Sequence, residues 1–382
     1  MSAVADILIF GDTTRSQELR HEVPAMIPDP FLYAERDGVR HITCSSLEQP
    51  RVAELGGFVF HPFEEFGLDE LRRTTISHVD LIDEIAVRAA RALGVSEALV
   101  PASFPVLTAD RLRAAGVALR VDQTTFDGRR RVKTGFELTG IRRAQAAAEA
   151  GMAAARELLG AAAADAGGTL TLEGQPLSSE RVKEAVSRAF LAAGASAEEF
   201  VVSHGPQAAI GHHMGEGELR AGEPVVIDIW PRDNASSCFA DMTRTFVVGE
   251  IPEELAQWHR LCKEALDRAR GEVRPGVTGR ALFDGTCAIF EAAGYATQRT
   301  KTDGETLAHG FMHSLGHGVG LSVHEEPFLG LIGHDPLVAG DVIAIEPGLY
   351  RPGFGGLRLE DLVLVTQDGA ETLTRFPYDL TP

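Results

Sequence analysis

Residues 224–246 read PVVIDIWPRDNASSCFADMTRTF, with Asp228 inside an apolar strand pattern and Asp241 at the start of the next one. Two more acids have the same setting: Glu346 in IAIEPGLY and Glu360 in LRLEDLVLV. Any one of them, taken singly, could stand on the solvent face of a strand. Four together are different, because each has an apolar neighbour: Ile227 and Ile229, Ala240 and Met242, Ile345, and Leu359. Buried carboxylates lose hydration and repel one another, so a fold that gathers them needs a counter-charge. Two divalent cations would balance four carboxylates. Oxygen donors suit Mn, Co, Zn or Fe, and one imidazole would turn the choice away from Ca and Mg.

That imidazole has a source in HGFMHSLGHGVGLSVHEEP, residues 309–327. His313 and His317 are spaced for one face of a helix, as in HExxH zinc sites, but Gly316, Gly318 and Gly320 break a helix and no glutamate follows His313. A glycine-rich loop presenting one ligand and two outer histidines fits better. A phosphate cradle at GHGVG would need a Gly-Lys-Ser/Thr ending and a preceding strand, and has neither.

The rest of the chain sets the frame. At 382 residues it is too long for one ordinary core. Up to residue 134 it alternates strand-like and helix-like segments, including ADILIFG, HVDLIDEIAVRAARAL and VALRVD, which make a small α/β domain. PDPFLYAERDG followed by RHITCSS reads as a hairpin turning at Asp-Gly. From 135 the order is helix, helix, strands, then helix, helix, strands. That order predicts two similar α+β halves sharing one sheet. The basic run GRRRVK at 128–133 reads as a solvated linker.

Composition excludes some partners. The net charge of −19 leaves no basic face for nucleic acid, and no stretch approaches a membrane span. Four scattered cysteines without CxxC spacing fit a reduced compartment, so a soluble cytoplasmic protein is expected.

The set ADMTRTF, HSLGHGVGLSVHE, AIEPGLY and LRLED resembles the pita-bread dinuclear metallopeptidases, which include methionine aminopeptidase, aminopeptidase P and prolidase. The resemblance implies an α+β chain. A smaller α/β creatinase-type domain, 1–134, would precede a pita-bread (creatinase/aminopeptidase-like) catalytic domain, 135–382. It implies that Asp228 chelates one metal and Asp241 bridges both. His317 and Glu346 would complete the second site, with Glu360 as the other bridge. His324 and an upstream histidine would stabilise the tetrahedral intermediate. Of His212 and His213, His212 is preferred because it follows the turn glycine. His313 matches an outer-pocket, substrate-binding position, and Arg358, on the same strand face as Glu360, would orient that carboxylate or the substrate.

The activity so implied is exopeptidase cleavage of the Xaa-Pro bond of dipeptides or short peptides, by a hydroxide bridging two ions, with Glu346 also moving a proton. Manganese is the first choice of metal, ahead of Co or Zn, and a homodimer is the implied assembly. The N-terminal domain argues against methionine aminopeptidase. The compact length favours the Xaa-Pro dipeptidase over aminopeptidase P. A hydrolase or lyase of the same fold with a non-peptide substrate stays open, as does a scaffold that binds no metal. The chain departs from its relatives between the two aspartates, where the connection is longer. There Trp230, Arg232 and Asp233 either line the pocket or a subunit contact, or form a solvated hairpin tip.

Overall fold

Alternating apolar residues in the N-terminal third build a six-stranded sheet, in spatial order Val59–Pro62, Val39–Cys44, Phe31–Arg36, Asp6–Gly11, Glu97–Val100 and Ala118–Val121. The central three pair antiparallel and the outer strands pair parallel. The Asp-Gly turn is present, with Asp37 at φ 50° and Gly38 at φ 77°, the left-handed pair that a two-residue hairpin uses. Helix His78–Ala92, capped by Ser77, buries Ile85, Ala86 and Ala89 against this sheet's core. This computed structural model describes residues 5–382 and divides into two units, one ending at Arg130 and the other Arg131–Pro382.

The second unit begins within GRRRVK, at Arg131, and here the linker reading is corrected. Helix Gln123–Arg131 takes in the three arginines. Within the first unit, Arg129 donates to Glu22 at 2.8 Å and to Glu35 at 2.8 and 3.1 Å. Within the second, Arg131 donates to the buried Asp341 at 2.9 and 2.7 Å, and Lys133 is paired with Glu325. The cations that look like a solvated run are spent on internal carboxylates.

A capping box at Thr134 and Glu137 starts the 27-residue helix Gly135–Ala161. It packs with helix Ser179–Ala192 over strands Val201–His204, Pro224–Ile229 and Met242–Val247. Helices Glu253–Glu272 and Gly279–Ala292 cover a second core. Strand Val342–Ile345 serves both: Val342 and Ala344 face the first core, Ile343 and Ile345 the second. Burial on both faces explains why VIAI shows no polar alternation.

The two halves do not share one continuous sheet. Hydrogen bonding separates a three-stranded sheet carrying Asp228 from a five-stranded sheet carrying His317. They adjoin where the Glu360 N–H donates to the Thr243 carbonyl at 3.0 Å. The break follows from local chemistry. Pro347 interrupts the strand pattern between Val342–Ile345 and Gly348–Arg351, and the chain changes partner again between Gly355–Arg358 and Asp361–Val365. No helix among the described residues is long and apolar enough to cross a membrane.

Candidate metal centre

Only Asp228 lies within a strand; Asp241, Glu346 and Glu360 stand just outside strand ends, where the chain passes between sheets. Register brings the first two together. Asp228 is directly opposite Thr243, so their side chains share a face. Asp241, two residues before Thr243, points the same way. Glu346 and Glu360 arrive from the other half, Glu346 held by its N–H to the Leu315 carbonyl at 2.8 Å.

His317 is on a strand, Gly316–Gly318, rather than in a loop. That strand lies between Val342–Ile345 and Glu325–Leu329. A Cβ on Gly316 would sit 1.9 Å from the Ala344 carbonyl oxygen, so the glycines let a backbone thread this gap. Their spacing in GHGVG reflects close strand packing. The His317 Nδ1–H donates to the Gly318 carbonyl at 3.2 Å. That bond leaves the Nε2 lone pair facing Asp241 Oδ2 and Glu346 Oε1, each at 3.7 Å.

One guanidinium answers the four acids. Arg358 is buried and ion-paired with Asp228, and its Nε lies 3.8 Å from Glu346. It also donates to Thr243 Oγ1 at 3.2 Å and to the Tyr350 hydroxyl at 3.0 Å. The Thr243 hydroxyl in turn donates a hydrogen bond to Glu360 at 2.7 Å. One positive charge cannot balance this cluster. Burial, then the neighbouring Glu360, Asp228 and Glu346, hold the Asp241 carboxyl well above its ordinary range. Burial first, and then Glu346 and Asp228, do the same to Glu360. Glu346 is raised to about 7, chiefly by burial, against the pull of Arg358.

The residues present fit divalent ions on two further observations. Asp241 Oδ1 is buried with no hydrogen-bond partner among the described residues. Asp241, His317 and Glu360 also offer one ligand atom each, all within 4.8 Å of one another. Burial lowers His317 to about 4, so its imidazole stays neutral and able to ligate.

The outer histidines separate by environment. His313 donates from Nδ1 to the Ser314 carbonyl at 2.7 Å and accepts at Nε2 from Tyr350 at 2.9 Å. The His324 ring stands edge-on to His317, with centroids 4.2 Å apart. His213 is occupied by its own loop, its Nδ1 accepting from the Gly215 N–H at 3.0 Å. His212 is exposed and lies near enough to disfavour protonation of both His313 and His324. Thr243 and Tyr350 were not singled out from sequence; for Thr243 the two-residue strand period from Asp241 was the available signal.

The loop joining the aspartates is neither a solvated tip nor loose. Asp233 is buried, accepts from Arg143 at 2.9 and 2.8 Å, and accepts from the Ser236 hydroxyl at 2.6 Å. Ser236 fits against Gly140 of the long helix, where a Cβ would come within 2.0 Å of its hydroxyl oxygen.

A buried cluster of carboxylates and an imidazole of this kind suits divalent metal ions. The chain belongs to metallopeptidase family M24, whose model matches residues 139–367. It is 38% identical over 198 residues to a probable dipeptidase PepE of Mycobacterium tuberculosis, covering 51% of this chain and 49% of that protein. It is 35% identical over 181 residues to the Xaa-Pro dipeptidase of Pyrococcus furiosus, covering 47% and 48%. These matches span about half the length of either relative. The solved dipeptidase PepE of Mycobacterium ulcerans superposes with a TM-score of 0.75 at 27% identity, over 99% of this chain and 93% of that one.

Proposed function

We propose that the protein is a dinuclear metal-dependent exopeptidase that hydrolyses the Xaa-Pro bond of dipeptides. The observation that carries this reading is the under-neutralised cluster of Asp228, Asp241, Glu346 and Glu360 around His317, in a chain of the M24 family. These five residues would hold two divalent ions, with Asp241 and Glu360 shared between them. Manganese, or else cobalt or zinc, suits the mainly carboxylate donor set. When bound, such ions acidify water and polarise a carbonyl.

The protein's own groups would do the rest. Arg358 orients Asp228, and Thr243 orients Glu360. His324 and His212 would donate to the oxygen of the scissile carbonyl as charge develops there. Glu346 would also carry a proton to the leaving imino nitrogen. His313, steadied by Tyr350, would border the substrate. The N-terminal unit would act as the creatinase-type partner domain, residues 1–134 in the sequence division. That the M. tuberculosis and P. furiosus relatives are named dipeptidases supports the dipeptidase choice over an aminopeptidase. Four buried free cysteines support a reducing, cytoplasmic setting, and a homodimer follows from the family resemblance.

The test is a parallel assay of an Xaa-Pro dipeptide and an Xaa-Pro-Yaa tripeptide on protein reconstituted with Mn, Co or Zn. Preferential cleavage of the dipeptide is expected. Preference for the tripeptide would turn the reading to aminopeptidase P. Cleavage of neither, with metal bound, would replace a peptide substrate by a non-peptide one.

A further inference from the structure

Lys133, the last cation of GRRRVK, is among the most deeply enclosed charges in the second unit. Its side chain is 1% exposed and its partner Glu325 is 6% exposed. Enclosing an ion pair so completely confers little stability, since an apolar pair of equal volume would serve as well. The location of the pair gives it another use.

Glu325 directly follows His324. One of its carboxylate oxygens pairs with Lys133, and the other accepts from the Ser322 N–H at 3.3 Å. The carboxylate thus closes the turn that contains His324. Gly320, at the base of this turn, is packed against both partners: a Cβ there would lie 2.5 Å from the Glu325 oxygen and 2.9 Å from Lys133 Cε. The Gly320 carbonyl also accepts from the Phe239 N–H at 2.8 Å, tying the turn to the loop between the two aspartates. Lys133 is anchored in turn, through neighbouring Arg131, to Asp341, which immediately precedes the strand paired with His317. The His324 ring itself makes no hydrogen bond among the described residues. Its place beside His317 therefore depends on where the turn is held.

We infer that the Lys133–Glu325 pair is a positioning device for His324: it fixes the turn that sets this imidazole over the metal centre. The functional half of this inference rests on the reading of His324 given under Proposed function. The structural half does not.

The test uses the full-length protein with Lys133→Met and Glu325→Gln combined, so that no unpaired buried charge remains. Histidine ring ¹⁵N resonances of the metal-free protein are assigned by His324→Ala. The pair variant should move or broaden the His324 signal while the His213 signal stays in place. An unmoved His324 signal overturns the inference, whatever the peptidase assay shows. In the metal-loaded protein, kcat on an Xaa-Pro dipeptide should fall about tenfold or more, with KM and metal content unchanged. In a His324→Ala background the same pair of substitutions should have no further effect on kcat. A loss of equal size in that background would mean the pair serves the fold rather than His324, and would overturn the inference. If wild-type protein cleaves no Xaa-Pro peptide, the proposed function fails, and the ring resonances alone decide whether the pair positions His324.

Discussion

Glu360 and Asp361 are consecutive and both buried, yet they belong to opposite electrostatic worlds. Asp361 is held by Arg244 at 3.0 Å, Arg270 at 2.6 Å and the Tyr378 hydroxyl at 2.6 Å. Its charge is fully answered by protein. Glu360 turns to the other side, toward three more carboxylates that share the single guanidinium of Arg358. Arg244 stands between the two sides, donating to the carbonyls of Thr243 at 2.9 Å and Glu360 at 2.7 Å. The lesson is that burial of an acid does not mark a function. A shortfall of protein counter-charge does, because something from outside must supply it.

Substitutions at the two sides should have opposite signs. Asp241→Asn should abolish metal binding and peptidase activity, measured by elemental analysis and assay, while raising the melting temperature of the metal-free protein at pH 8. Asp361→Asn leaves Arg244 buried without its charged partner, and should destabilise the protein by roughly 3–5 kcal/mol in denaturant titrations. Destabilisation of metal-free protein by both substitutions would erase the contrast.

The pH dependence of the metal-free protein comes next in size. Asp241, Glu346 and Glu360 all have folded values above those of an unfolded chain. The folded state therefore binds more protons, and its stability is fullest below the unfolded carboxylate range, about pH 4. That contribution is lost as pH rises through the Glu346 value of about 7. Thermal unfolding should show the metal-free protein weakening by a few kcal/mol between pH 5 and pH 8. Added Mn should restore more stability at pH 8 than at pH 5. A flat profile would mean that the cluster is already neutralised by protein.

Smallest is the effect expected at the partly exposed end of the inter-aspartate loop. Arg143 is 45% exposed where it meets Asp233. Arg143→Ala leaves the buried Asp233 with Ser236 but without its arginine partner and should cost about 1–2 kcal/mol, with kcat/KM unchanged. A change in substrate preference would instead give this loop a part in recognition.

Much of the contrast is legible in the sequence. Apolar flanks around Asp228, Asp241, Glu346 and Glu360 reveal acids that cannot all stay charged unaided, and GHGVG points to the imidazole. Other features were hidden by their nature. Whether an acid stands within a strand or at its end depends on sheet pairing, which neighbouring residues do not determine. The glycines beside His317 read equally well as loop or as closely packed strand. GRRRVK looks solvated because its partners, from Glu22 to Asp341, lie far away in sequence. Thr243 and Tyr350 are ordinary strand residues until Arg358 and His313 meet them.

The order of the proposed ligands along the chain has a consequence for synthesis. Asp228 and Asp241 come with the three-stranded sheet, while His317, Glu346 and Glu360 come with the five-stranded sheet and the chain beside it. A growing polypeptide carries the first two acids through more than a hundred residues of elongation before Glu360 is added. During that interval it has no complete set with which to capture an ion. If these residues hold metal as proposed, uptake would wait until both sheets are in place.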